Sequence, residues 1–357
     1  MWVNPYEIPG NGIDDDGNGW VDDIHGIDTM NGDGDPFDDD GHGTHVAGII
    51  AAAGNNGIGV AGVNWNAKII ACKFMDTDGG TAWDAITCLD YLAALKQQGV
   101  NIVVSNNSWG GGGNPQSLAD AIATQRDLDI LFVASANNDG RNLDNFDTYP
   151  AKYQTDNVIT VAAINSSGAL ASFSNYSRRY VHIGAPGVGI LSTLPGNDYG
   201  AYSGTSQAAP FVSGVVGLLA AYLPSSDYRA KRNLILSGGS YDANMDNVTV
   251  SGRRLRAYDV SGVGALSCAG TTLNRALTPS AATEVYEGQL LDLSVISLAC
   301  DQPATSAQVT IVETGTVIDL VDDGTASDSY AGDGIFHGSW TVPVGYQQLQ
   351  MNIADTS

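Results

Sequence analysis

Between Lys68 and Ala163, short apolar runs alternate with stretches of helical period, an order that few folds accommodate. An apolar run at 69–74 is followed by a helix opened by Thr81, with Asp84 three residues on in a capping-box arrangement. Ile86, Leu89 and Leu92 repeat at helical spacing, and Gly99 stops the helix. Apolar runs at 102–105, 130–134 and 158–163, with a helix through 118–122, continue the pattern. Strands separated by helices predict an α/β fold, a parallel sheet with helices on both faces.

The two ends of the chain read differently. Residues 1–40 are rich in Asp, Asn and Gly with little apolar periodicity, the pattern of a loop held by something other than a core. Asp14, Asp16, Asn18, Gly19 and Asp22 follow the first, third, fifth, sixth and ninth positions of an EF-hand-like loop, with His25 where the bidentate Glu would stand. Asn31, Asp33 and Asp35 offer oxygen ligands at similar spacing, and uncompensated carboxylates this dense would repel one another. Calcium is therefore the expected cofactor, held by an acidic insert at about 11–40. Near 265–270 the character changes to apolar–polar alternation, as in Gln308-Val309-Thr310-Ile311-Val312, with Gly and Asp clusters between. That predicts a small antiparallel β sandwich at 269–357 behind an α/β domain at 1–268. Asp322-Asp323-Gly324 and Gly332-Asp333-Gly334 read there as turns first and calcium ligands second.

A length of 357 residues suits two domains, and 43% hydrophobic residues supply a core. The net charge of −24 argues against nucleic acid or an anionic membrane as partner, and no apolar run reaches the roughly 18 residues of a membrane span. The four cysteines lack the close spacing of a zinc or redox site. A disulfide between Cys268 and Cys300 would staple the β domain, whereas Cys72 and Cys88 read equally well as buried thiols or as a bond.

Two stretches carry the chemistry. Ser206 precedes an almost wholly apolar segment, 208–223, that reads as a buried helix with Pro210 in its first turn. A serine there sits where free backbone N–H groups and the helix dipole stabilise an oxyanion, although an isolated serine in that position is ordinarily just an N-cap. His42 and His45 lie three apart on a helix opened by Asp40 and Gly41, and taken alone they would suit a metal or a packed core. The surrounding residues decide otherwise. Gly41-His42-Gly43-Thr44-His45-Val46-Ala47-Gly48 and Ser203-Gly204-Thr205-Ser206-Gln207-Ala208-Ala209-Pro210 resemble the histidine and serine boxes of the subtilisin-like serine peptidases, the subtilases.

The resemblance covers about residues 1–265 and implies a subtilisin-like fold, with Ser206 as nucleophile, His42 as general base and His45 as a structural residue. Val133-Ala134-Ser135-Ala136-Asn137-Asn138-Asp139-Gly140 is similar to the family's strand-to-turn segment, which makes Asn138 the oxyanion donor beside the Ser206 N–H. Asn107-Ser108-Trp109-Gly110-Gly111 is similar to the strand edge on which substrate adds as an extended strand, so Ser108, Trp109 and Gly110 would form one wall and Ser135, Ala136 and Asn137 the other. Tyr149–Pro150 matches a turn whose peptide bond is cis. Asn137 replaces a family glycine, and Gln207 stands where many members have methionine. The family's catalytic aspartate lies upstream of the histidine box, before the place where this sequence starts. Asp28 superficially resembles it, but lies too few residues before His42 and is embedded in a Gly/Asn/Asp loop.

The expectation is therefore a secreted, calcium-stabilised, truncated serine hydrolase with a Ser206–His42 pair, acting on polypeptides or small esters and monomeric unless a second chain supplies the missing strand. A carboxylesterase with little proteolysis, or a catalytically silent calcium-bound binding protein, are the alternative readings.

Overall fold

The computed structural model describes residues 1–257, 272–279, 283–299, 302–325, 328, 330–345 and 350–356. The predicted pairing of Cys268 with Cys300 lies outside the described residues. The N-terminal segment contributes a short strand, β1 (Gly26–Asp28), where the sequence pattern reads as loop. Ile27 is fully buried there, and its strand pairs in parallel with β2 (Ala71–Lys73). Between them in sequence lies helix α1 (His42–Ala51).

Helix α2 (Ala82–Gln97) opens with the expected capping box between Thr81 and Asp84, and Gly99 follows its end with a left-handed φ of 102°. Strand β3 (Val104–Asn107), helix α3 (Gln116–Asp127), and strands β4 (Leu131–Ser135), β5 (Val158–Ile164) and β6 (Ile183–Pro186) come next. A hairpin, β7 (Ile190–Leu194) and β8 (Asp198–Tyr202), leads into helix α4 (Thr205–Tyr222), then α5 (Tyr228–Gly238) and two short strands, β9 (Ser240–Tyr241) and β10 (Arg253–Arg254). The main sheet runs β3-β4-β5-β6-β10-β9, parallel except for β9.

The period of two along β4 shows why both faces of this sheet are covered. Leu131 and Val133 join the core formed with Val212, Val215 and Val216 of α4, whereas Phe132 and Ala134 join a second cluster with Leu89 of α2 and Leu118 and Ile122 of α3. Cys72 and Cys88 form a disulfide that ties β2 to α2, with Cα atoms 5.9 Å apart, which settles the alternative left open by their spacing.

The C-terminal part is antiparallel. Strands β11 (Thr272–Thr278), β12 (Leu290–Ala299) and β13 (Gln302–Pro303) form one sheet; β14 (Ser306–Ile311) and β15 (Thr316–Leu320) belong to a second; β16 (Ile335–Thr341) pairs with β12, and β17 (Met351–Thr356) with β14. Leu291, Leu293 and Val295 of β12 pack against Ala307, Val309 and Ile311 of β14, so the two sheets face each other as a sandwich. On the opposite face of β12, Ile296 and Leu298 join Leu234 and Ile235 of α5 in the main core.

Candidate active site

Two helix N-termini and two strand ends meet at one cleft of about 520 Å³, lined by His42, Asn138, Ala201, Tyr202, Ser203, Gly204, Ser206 and Gln207. His42 is the first residue of α1, whose N-cap, Gly41, has a φ of 96° that a side chain would strain. Asp38 fixes this entry. One of its carboxylate oxygens accepts from the Gly41 N–H at 2.8 Å, and the other accepts from the Thr44 N–H and hydroxyl, both at 2.6 Å. Burial pushes the Asp38 carboxyl up, but these hydrogen bonds outweigh it and hold the group below the usual carboxylate value.

The hairpin β7–β8 clamps the same helix. Buried His45 approaches the Ile190 and Gly200 carbonyls through Nε2, at 3.0 and 3.1 Å, and its ring stacks on Tyr202. Ser192 and Thr193 donate hydroxyls to the His45 and Thr44 carbonyls. Gly48 makes the approach possible, since a Cβ there would lie 2.2 Å from Thr193 Oγ1 and 2.4 Å from Ser192 Oγ. His45 is thus a bracket for the helix, while His42 faces the cleft.

Ser206 is the second residue of α4, with Gly204 as N-cap, so it sits inside the first turn and is not itself the cap. Pro210 lies in the second turn, not the first as the sequence pattern suggests. The displacement has a local consequence, because proline has no N–H for the carbonyl four residues back, which is that of Ser206. Ser108 supplies the missing donor: its Oγ donates to the Ser206 carbonyl at 2.8 Å, and Ser206 Oγ donates to the Ser108 carbonyl at 3.2 Å. The nucleophile candidate therefore rests against the end of β3, its hydroxyl held by the Ser108 carbonyl.

Asn138 follows β4 and is exposed. Its Oδ1 accepts from the Thr205 N–H at 2.9 Å and from the Thr205 hydroxyl at 3.0 Å, which fixes the carboxamide at the start of α4. Asn138 Nδ2 and the Ser206 backbone nitrogen each lie 3.6 Å from the position a Cβ on Gly204 would take. The two donor nitrogens thus lie near one position at the edge of the cleft, an arrangement from which an oxyanion site could be built.

The predicted substrate walls lie beside this point. Asn107 pairs with Ala134 at the ends of β3 and β4, so residues 108–110 and 135–137 emerge next to each other. Ser135 and Ala136 are buried, and the Ala136 N–H is taken by the Val161 carbonyl at 3.0 Å. Asn137 adopts a left-handed φ of 70°, hydrogen-bonds Thr148 Oγ1, and has its carboxamide within 2.6 Å of where a Gly110 Cβ would be. Its side chain therefore spans the gap between the walls. The Tyr149–Pro150 bond is cis, as expected.

Among the described residues no side chain hydrogen-bonds the His42 ring. Asp28 is on a strand rather than in a loop, yet its carboxylate is occupied by the Met30 and Asn31 N–H groups, the Asn31 amide and Lys73 at 3.5 Å. Burial lowers the His42 pKa beneath its usual 6.5, against the opposing pull of Asp40 and Asp38 and helped by His45. A neutral imidazole accepts protons, so hydrolysis dependent on His42 is expected to have an acid limb with its midpoint below pH 6.5. A kcat/KM profile from pH 5 to 8 that still rises above pH 7 would contradict this.

Of the predicted metal ligands, Asp14 and Asp16 come together, joined by Glu7, which the sequence pattern did not single out; their carboxylates lie within 4.8 Å of one another. Asn18 and Asp22 serve neighbouring backbone and side-chain partners, with Asp22 accepting from the Gly10, Asn11 and Gly12 N–H groups. Asn31 bonds to Asp28, and Asp33 accepts from the Asp35 N–H. In the sandwich, Asp322, Asp328 and Asp333 converge similarly.

A family model described as the subtilase family matches residues 10–249. Subtilisin-like protease 1 of Plasmodium berghei (strain Anka) is 37% identical over 254 residues, covering 66% of this chain and 42% of the relative. Thermitase of Thermoactinomyces vulgaris is 37% identical over 197 residues, covering 55% of this chain and 67% of the relative. A crystal structure of a cold-adapted subtilisin-like serine proteinase superposes with a TM-score of 0.54 at 28% identity, covering 70% of this chain and 84% of that one. The chain thus spans about two fifths of the length of the Plasmodium relative.

Proposed function

Because the chain belongs to the subtilase family, we propose that it is a serine hydrolase that cleaves peptide or ester bonds through an acyl-enzyme on Ser206. Ser206 attacks the acyl carbon, His42 takes its proton and returns it to the leaving group, and Asn138 Nδ2 with the Ser206 N–H holds the oxyanion. The observation that carries the reading is the space beside Gly204, where the Asn138 amide and the Ser206 N–H converge within the cleft that His42 lines. Residues 108–110 offer the edge along which a polypeptide would lie, with 135–137 opposite.

A His42 ring without a side-chain partner among the described residues favours substrates with good leaving groups. In a triad the carboxylate orients imidazole and stabilises imidazolium, and an ester depends less on that help than an amide does. The activity is accordingly weak on proteins and stronger on activated esters. Parallel assays of a short-chain nitrophenyl ester and of casein test this. Hydrolysis of neither, with no labelling of Ser206 by a fluorophosphonate, would leave the chain a silent binding protein.

Calcium completes the reading as a structural ion. Glu7, Asp14 and Asp16 form a hard, all-oxygen donor set that suits it and would hold the ion, neutralising part of the N-terminal acidic charge. At about 100 times its Kd, calcium is expected to add about 2.7 kcal/mol of stability, or roughly 5–10 °C in Tm, and Glu7→Gln should remove most of the gain. An unchanged melting curve in excess EDTA would rule the site out. The Cys72–Cys88 disulfide favours a secreted protein, and among the described residues no helix is long and apolar enough to cross a membrane. The division into an α/β domain at 1–268 and a sandwich at 269–357, acting as a monomer, completes the proposal.

A further inference from the structure

Gln207 is only 2% exposed, yet it borders the candidate catalytic cleft, and among the described residues its Nε2 has no hydrogen-bond partner. A buried amide donor without a partner is costly, so a native structure that keeps one calls for a physical reason. Its carboxamide reaches back over the first turn of α4, where Oε1 lies 2.8 Å from the position a Cβ on Gly204 would take. Asn138 Nδ2 and the Ser206 N–H flank that same position at 3.6 Å. Three amide groups therefore lie within 3.6 Å of one position beside Gly204, with the Gln207 oxygen the nearest of them.

The geometry points to Gln207 as a third donor to the oxyanion, an inference that rests on Ser206 being the nucleophile. The terminal torsion of a glutamine is broad and roughly two-fold, so a half-turn exchanges Oε1 for Nε2 without moving the rest of the side chain. When Ser206 Oγ adds to the acyl carbon, the carbonyl π pair moves onto oxygen and the serine proton passes to His42. The new negative charge attracts an N–H and repels the amide oxygen, and the half-turn brings Nε2 to it. The idle donor of the free enzyme is satisfied only once charge develops, the condition under which an interaction accelerates a reaction.

The test compares the native chain with Gln207→Met, of similar length and apolar, and Gln207→Glu, of the same shape but charged. A peptide aldehyde forms a hemiacetal with the serine and reports the oxyanion, whereas the corresponding alcohol binds without forming one. Gln207→Met should weaken the aldehyde about tenfold to a hundredfold, leave the alcohol unchanged, and raise Tm by a few degrees because the orphaned donor is gone. Gln207→Glu should weaken the aldehyde further. Equal aldehyde affinity in the native chain and Gln207→Met, or parallel weakening of aldehyde and alcohol, would overturn the assignment. Fluorophosphonate labelling at Ser206 in the native chain separates the two failures: labelling with unchanged aldehyde affinity defeats only the role of Gln207, and no labelling defeats the serine reading and this inference with it.

Discussion

Ser206→Ala should reduce nitrophenyl ester hydrolysis to the level of the cleft without its nucleophile, and the size of the drop will show what stands behind His42. In subtilisin, a member of the same family, loss of the serine costs about 2 × 10⁶ in turnover, and loss of the triad aspartate alone about 3 × 10⁴. These losses do not add, because the groups act as a unit. If the His42 ring works without a carboxylate, as the described residues show it, most of that loss is already present, and Ser206→Ala should cost only about 10²-fold more. A drop nearer 10⁶-fold would mean that a carboxylate reaches His42 in the working enzyme. Single-turnover kinetics of both proteins, with matched melting curves to show that the fold is intact, make the measurement.

Asn138→Asp should lower kcat by at least 10²–10³-fold with little change in KM. This variant is cleaner than Asn138→Ala, because the native Oδ1 also accepts from the Thr205 N–H and hydroxyl and so anchors the start of α4. An aspartate keeps an oxygen for Thr205 but turns the donor beside the Ser206 N–H into an acceptor, now charged. Gly204→Ala should reach a similar loss by another route, since its methyl would occupy the space between the two donors. The Gly204 φ of 168° is extended backbone, so that loss would be steric rather than a matter of strain. If either variant keeps native kcat, the oxyanion is not held beside Gly204.

The residues of the candidate site are easier to find in the sequence than the scaffolding that holds them. The histidine and serine boxes are long motifs, and the structure brings His42, Asn138 and Ser206 to one cleft. The strand–helix alternation gave β3, β4 and β5 to within about two residues, because apolar period follows burial on two faces, while α3 runs five residues beyond the stretch read as helical. Strand β1 was illegible since its three residues sit among Asp and Gly, and only the pairing with β2 makes a strand of them. Glu7 does not stand out for a related reason: it lies apart from the Asp14–Asp16 run, and only the fold brings the three carboxylates together. Cys72 and Cys88 posed the same difficulty, as sixteen residues of separation leave their distance open until α2 packs. The resting contact of Ser206 with Ser108 follows from Pro210, but only when its exact place in the helix is known.

That reciprocal contact couples two mechanical parts. The serine hydroxyls at the end of β3 and in α4 each hold the other's carbonyl, so the edge along which a peptide would lie and the turn that would cut it are tied to each other. If residues 108–110 seat a substrate and Ser206 attacks it, as proposed, the Ser108 hydroxyl on the Ser206 carbonyl is the tether that would stay in place when the Ser206 hydroxyl leaves the Ser108 carbonyl for His42. Seating and attack would then be mechanically linked through that one bond.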